Sequence, residues 1–190
     1  LEDITRLGGS RAGVLSFAMT QSESGVDLRV TGGKPLDGPL RAALGGFAGH
    51  FVRLTWEDEP IFAATPPVVW CGNAAVTPPP GAFLQATAHG EAALLSAVEE
   101  AVGDATRIAD LFAGCGTFAL PLARRATVHA VEGEAALLAA LDAGARHAQG
   151  LKPLTTETRD LFRRPMMATE LAAYDAVVID PPRAGAEAQT

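Results

Sequence analysis

The chain has 190 residues, 48% of them hydrophobic and 19% charged, which is enough apolar material to pack one substantial domain and a smaller one and excludes wholesale disorder. Its formal charge of −7, split as −2 over residues 1–90 and −5 over the remainder, supplies no global basic field for holding nucleic acid. No run approaches the roughly 18 consecutive apolar residues of a membrane helix, so the expectation is a cytoplasmic protein without membrane partners.

The first residue is Leu1 rather than a start methionine, and the expectation is a piece of a longer protein. The first part alternates short β-like runs with turn residues. Residues 13–19 and 26–30 read as strands of a hairpin around Ser24-Gly25. Asp37-Gly38-Pro39 reads as a helix start and Gly45-Gly46 as its stop, giving a short amphipathic helix over 39–44. Strands are expected over 51–56, 61–64 and 68–71, separated by Glu57-Asp58-Glu59-Pro60 and by Pro66-Pro67. This is a small α+β unit.

Pro78-Pro79-Pro80-Gly81 is the strongest punctuation in the chain, because three prolines fix φ, donate no backbone hydrogen bonds and favour an extended connector. A domain boundary is expected there, with residues 1–79 before it and 80–190 after it. Beyond it helices alternate with short apolar strands, the pattern of a parallel sheet covered by helices. Leu94, Leu95, Val98 and Val102 make one helical face ending at Gly103, followed by a strand over Arg107–Leu111, a helix over 118–125 and a strand over 127–131. Leu137, Leu138, Leu141 and Ala145 make a second helical face stopped near Gly150, and Ala176–Ile179 reads as a short buried strand. Arg124-Arg125 and Arg159 with Arg163-Arg164 are local basic spots that read as solvated helix ends.

Three features carry chemistry. Asp110-Leu-Phe-Ala-Gly-Cys-Gly-Thr-Phe118 runs from a strand through a tight glycine turn into a helix, so that backbone can approach a ligand where side chains would collide. It is neither the dinucleotide G-x-G-x-x-G nor a lysine-bearing phosphate loop, and Asp110 would repel phosphate while accepting from a cationic amine or a hydroxyl. Twenty-two residues later Glu132 ends a second strand, at about the spacing where Rossmann-like folds place the acid that holds a ribose diol. Taken alone, Glu132 also reads as a solvated acid at a helix start. Asp180-Pro-Pro-Arg183 then follows a buried strand to the carboxyl edge of the sheet, where open α/β sheets bind ligands. There Asp180 can orient a polar group and Arg183 can meet a phosphate or carboxylate. A bare turn is the alternative for this segment. Two cysteines, Cys71 and Cys115, allow no disulfide framework and lack C-x-x-C spacing, so no metal site is expected, and both read as packing residues.

In order and spacing over about residues 80–190, Phe83-Leu84-Gln85, Asp110–Phe118, Val131-Glu132-Gly133 and Asp180–Ala186 resemble the S-adenosylmethionine-dependent RNA (uracil-5-)-methyltransferase family. The resemblance implies a Rossmann-like class I methyltransferase sheet, α/β in class, preceded by the small α+β domain, with S-adenosyl-L-methionine as cofactor and rRNA or tRNA as partner. It implies that Gln85 contacts the methionine end of the cofactor, that Gly114 and Gly116 let it lie against the turn beside Asp110 and Phe112, and that Glu132 binds its ribose. It further implies that Asp160 flanks adenine, that Asp180 faces cofactor and target base in an orienting role, and that Arg183 meets RNA.

The chain departs from the family pattern in several places. Thr87 stands where the family usually has asparagine, and neither an RNA-binding barrel nor a cysteine cluster is visible before residue 80. In the family the nucleophilic cysteine and the general base follow the Asp-Pro-Pro-Arg segment, whereas this chain stops at Thr190. The expectation is therefore an incomplete sheet lacking its last strands, a chain that binds cofactor without turnover, and an uncovered edge strand through which copies pair as dimers. An RNA cytosine-C5 methyltransferase and a non-catalytic S-adenosylmethionine-binding module are the alternatives. Adenine-N6 chemistry is disfavoured because Arg183 takes the place of a base-stacking aromatic residue.

Overall fold

In the computed structural model, which describes all residues except Ser10, Arg11, Ala12, Ala184, Ala188 and Thr190, the chain divides into two units. One comprises Leu1–Val69 with Thr77–Ala82, the other Trp70–Val76 with Phe83–Thr190. The backbone thus passes between units at 69/70, 76/77 and 82/83. A single cut after residue 79 does not describe that path, because residues 70–76 fold with the second unit.

The first unit begins with α1 (Glu2–Gly8), β1 (Ser16–Ser22), β2 (Gly25–Thr31), α2 (Gly38–Gly45), β3 (Arg53–Trp56) and β4 (Glu59–Ala63). The sheet order is β1-β2-β3-β4, with antiparallel outer pairs and a parallel β2–β3 pair. The hairpin has the register Ser22↔Gly25, so its turn is Glu23-Ser24 and β1 starts three residues later than the apolar run suggests. The expected helix forms because the Asp37 carboxylate caps it, accepting from the Leu40 N–H at 2.7 Å, with proline in the first turn. Pro60 is accommodated in β4 because that strand is at the edge of the sheet among the described residues, where proline is tolerated. Ile4, Leu28, Val30, Leu40, Leu44, Leu54 and Trp56 form the core. Ile4 recruits α1, a helix with no capping side chain and too short to show a period in the sequence.

The second unit takes up β5 (Val69–Cys71) from Trp70 onward, which forms a two-stranded ladder with β6 (Ala74–Val76), followed by α3 (Ala88–Val102), β7 (Arg107–Leu111), α4 (Ala119–Leu122), β8 (Thr127–Glu132), α5 (Ala135–His147), β9 (Leu154–Thr158), α6 (Ala168–Leu171) and β10 (Ala176–Ile179). The four longer-range strands make an all-parallel sheet in the order β10-β7-β8-β9. This is the α/β class read from the sequence. Several elements differ from that reading. The helix expected over 118–125 is regular only across Ala119–Leu122. Past it, Arg124 and Arg125 make i→i−3 bonds to Pro121 and Leu122, a tightened tail. Along α3 none of the residues is fully buried: Leu95, Val98 and Val102 are half-buried, and Leu94, expected on the same face, is exposed. No helix among the described residues is long and apolar enough to cross a membrane.

Candidate functional site

The parallel register decides where the polar residues converge. Leu111 lies level with Val131 on one side and Ile179 on the other, so the residues next along each chain, Phe112, Glu132 at the end of β8 and Asp180, stand at one edge of the sheet. Loop hydrogen bonds close that edge: Ala113 N–H donates to Val131 O at 3.1 Å, Asp180 N–H to Leu111 O at 3.4 Å, and Arg159 N–H to Glu132 O at 2.8 Å. This is the carboxyl edge of a parallel α/β sheet, where such folds place ligands.

The turn between β7 and α4 is backbone-strained. Phe112 has φ +63°, Gly114 +57° and Gly116 +100°, and an ordinary side chain reaches these angles at a cost. The two glycines serve different ends. A Cβ on Gly116 would stand 2.7 Å from Leu120 Cδ1 and 3.0 Å from Leu141 Cγ, so that glycine lets the turn sit on the helices. A Cβ on Gly114 would meet nothing within 4 Å, leaving an open face on the turn.

Glu132 ties the turn to its own loop. One carboxylate oxygen accepts from Gly114 N–H at 3.0 Å and the other from Glu134 N–H at 3.0 Å. Each oxygen keeps a lone pair for a further donor. Asp110 is fully buried, and neither of its oxygens has a hydrogen-bond partner among the described residues. Burial pushes its carboxyl up to about 7; the Ala119 N–H pulls it down from outside hydrogen-bond geometry, and the Asp180 and Glu132 carboxylates push it further up.

Phe112 and Phe162 form a tilted aromatic pair, ring centroids 5.5 Å apart, and Phe162 is 48% exposed. Phe162 escaped the sequence reading, although it stands two residues after Asp160, which did not. Asp160 is exposed and caps the turn beneath that ring, accepting from Phe162 N–H at 3.0 Å and Arg163 N–H at 3.2 Å. Gln85 lies half-buried in the extended segment before α3, and no hydrogen bond among the described residues joins it to the strand edge. Thr87 caps α3, accepting from Gly90 N–H at 3.0 Å, which gives the departure from asparagine a local structural use. Asp180 and Arg183 are exposed, and Gly185 N–H closes their loop on Pro182 O at 2.7 Å. Ala184, inside the same motif, lies outside the described residues.

Both cysteines are buried. Burial pushes the Cys115 thiol up to about 11, and pushes Cys71 higher still. Among the described residues no cluster of histidine, cysteine and carboxylate groups is arranged to hold a metal.

No family model matches the chain. Over its whole length it is 49% identical to a Brucella suis protein named as an uncharacterized RNA methyltransferase, covering 47% of that protein. The chain is similar to RNA methyltransferases. A 23S rRNA (uracil(1939)-C(5))-methyltransferase of Chromohalobacter salexigens is 41% identical over 57% of the chain and 23% of its own length. Among solved structures, the Pyrococcus abyssi tRNA (uracil-54, C5)-methyltransferase in complex with S-adenosyl-L-homocysteine superposes with a TM-score of 0.65 over 90% of the chain and 44% of that protein, at 16% identity. The fold is therefore the Rossmann-like methyltransferase fold. The chain spans about half the length of the curated relatives it matches most fully.

Proposed function

We propose that this chain is the cofactor-binding part of an S-adenosylmethionine-dependent RNA methyltransferase whose target is C5 of uridine in rRNA or tRNA. The observation that carries the reading is the register that brings the glycine turn, Glu132 and Asp180 to one sheet edge, in a chain nearly half identical along its length to curated RNA methyltransferases. The residues fit the cofactor. The open face at Gly114 admits a ligand against backbone, the Glu132 carboxylate has lone pairs for a ribose diol, and the buried Asp110 carboxylate complements a cation.

S-adenosylmethionine, when bound, supplies a methyl group on a positively charged sulfur. Gln85 takes the methionine end, Asp160 and the Phe112–Phe162 pair the adenine side, and Asp180 orients the target base. Arg183 contacts an RNA phosphate. Uracil C5 becomes nucleophilic only after a thiolate adds at C6; methyl transfer to C5 is then followed by removal of the C5 proton by a base and expulsion of the thiolate. Neither buried cysteine meets that need, since both thiols are held protonated and out of reach. The reading therefore requires a thiolate from outside residues 1–190.

Calorimetric titration with S-adenosylhomocysteine tests the reading, run beside transfer of tritiated methyl to uridine-containing RNA. Saturable one-site binding without turnover is expected of residues 1–190. A folded chain that does not bind overturns the cofactor site, and turnover overturns the placement of the thiolate. The same reading carries pairing of copies through β10, which has one sheet neighbour among the described residues and exposes 37% of Ile179. Light scattering showing a monomer at high concentration removes that part.

A further inference from the structure

Asp110 is a fully buried carboxylate in β7. Strand alternation turns it away from Ala109 and Leu111, which belong to the apolar cluster with Val131, Leu161 and Met166, and toward the side where the glycine turn leads into α4. There it is fully buried with two unpartnered oxygens, and an unpaired buried carboxylate is costly in its charged form. The charged groups acting on it come from both neighbouring strands and are both negative: Glu132 at the end of β8 and Asp180 after β10. From α4 it faces only the Ala119 N–H. Three carboxylates thus converge on one edge, with no cation acting on Asp110 among the described residues, beside the turn whose Gly114 face is open.

Such an arrangement favours a ligand that brings its own positive charge. The sulfonium cofactor carries one on its sulfur in addition to its ammonium group, and the thioether left after methyl transfer keeps the ammonium alone. We propose that Asp110 is the residue by which this site distinguishes the sulfonium cofactor from its thioether product, giving up a proton when the cation binds and keeping it when the product does. The inference rests on the reading of the edge as an S-adenosylmethionine site. It goes further by assigning the preference to one buried group, a positioning residue that acts through space and not by contact. The charge created on Asp110 strengthens binding of the substrate form, and reprotonation after transfer weakens the hold on the product.

The sign of the effect follows from the direction of the shift. In the free protein Asp110 titrates near neutrality, and a bound cation stabilises its charged form, so binding of S-adenosylmethionine releases a proton and tightens as pH rises through about 7. The test is calorimetry of the 190-residue chain with S-adenosylmethionine and with S-adenosylhomocysteine, at pH 7 in two buffers of different ionisation enthalpy, then across pH 6 to 8. For the wild type, S-adenosylmethionine should release about half a proton more than S-adenosylhomocysteine, and the affinity ratio of the two should rise about tenfold from pH 6 to 8. The ligands' own amino groups titrate as well. Asp110→Asn leaves that contribution intact and should abolish the component due to Asp110. Equal proton release by the two ligands, or a sulfonium-specific release that survives in Asp110→Asn, overturns the inference while leaving the cofactor site standing. Binding of neither ligand by folded wild type overturns the reading on which it rests. Should the variant fail to fold, the wild-type proton counts decide alone.

Discussion

The Glu132 carboxylate bridges two loops of the sheet edge, one oxygen on the Gly114 N–H and the other on the Glu134 N–H, each at 3.0 Å. Losing two charge-assisted hydrogen bonds to backbone, each worth roughly 1.5–3 kcal/mol, loosens the turn at Gly114, although Ala113 N–H still holds it to Val131 O of β8. Glu132→Ala is therefore expected to weaken S-adenosylhomocysteine binding at least tenfold. Glu132→Gln, which keeps one acceptor oxygen, should weaken it less. Calorimetric titration of both variants checks the ranking, and equal affinity in wild type and Glu132→Ala would remove Glu132 from the site.

Gly114 and Gly116 should respond differently to the same substitution. Gly116→Ala forces a Cβ to 2.7 Å from Leu120 and 3.0 Å from Leu141 at a φ of +100°, an overpacking and strain cost of about 1–3 kcal/mol. Gly114→Ala meets open space, so its stability cost is confined to the backbone, about 1 kcal/mol, while its methyl occupies the ligand face. Urea melts should show the larger midpoint loss for Gly116→Ala. Titration should show reduced affinity for Gly114→Ala in protein that is still folded.

In the first unit, Arg53 and Asp27 form a two-pronged ion pair at 2.8 and 2.6 Å, and Arg53 also donates to Pro78 O at 2.8 Å. The side chains are 12% and 5% exposed. Asp27→Ala leaves the guanidinium buried without its counter-charge, and the expected loss is about 3–5 kcal/mol. A change in unfolding free energy below 1 kcal/mol would show that water relieves Arg53.

Acid should weaken the second unit. Asp175 accepts from Thr106 N–H and Oγ1 and from Arg107 N–H and its guanidinium, at 2.8 to 3.1 Å. The Arg107 hydrogen bond, then the Thr106 bonds, hold its carboxyl well below the usual range, and the Arg159 hydrogen bond brings Glu170 down to about 2. A carboxylate depressed in the folded state contributes stability above its unfolded pKa and loses it as pH falls through the folded one. Stability should thus fall from about pH 4.5 downward. Asp175→Asn should flatten part of that slope, and salt should reduce it because these groups are solvent-screened. Denaturant melts between pH 2 and 6 measure it.

Cys71 and Cys115 should be inert to thiol reagents in the native state, because both are buried and burial holds both thiols protonated. Reaction with an aromatic disulfide reagent should be slow in buffer and release two equivalents in urea. Rapid labelling of either cysteine in folded protein would reopen its candidacy as a nucleophile.

The amino-acid sequence alone determined the elements whose signals are local. The capped helix at Asp37, the glycine turn after Asp110 and the four-residue strand Ala176–Ile179 all follow from capping, turn and β-branched chemistry that operates within a few residues, although that strand, expected to be buried, buries Val178 alone because it has a sheet neighbour on one side among the described residues. What it did not show were elements held by distant partners. The helix Glu2–Gly8 depends on Ile4 entering a core made by later strands, and the strand Leu154–Thr158, with one leucine among threonines and a glutamate, exists because β8 offers it a ladder. The strand Ala74–Val76 is three residues long and acquires its place by pairing with β5. The same division holds at the site. Gly114, Gly116, Glu132 and Asp180 were legible as residue types at the ends of strands. Only the tertiary structure set Phe162 beside Phe112 and left Asp110 buried without a hydrogen-bond partner among the described residues, because strand register and loop closure, which no local pattern encodes, decide which side chains meet and which are cut off from water.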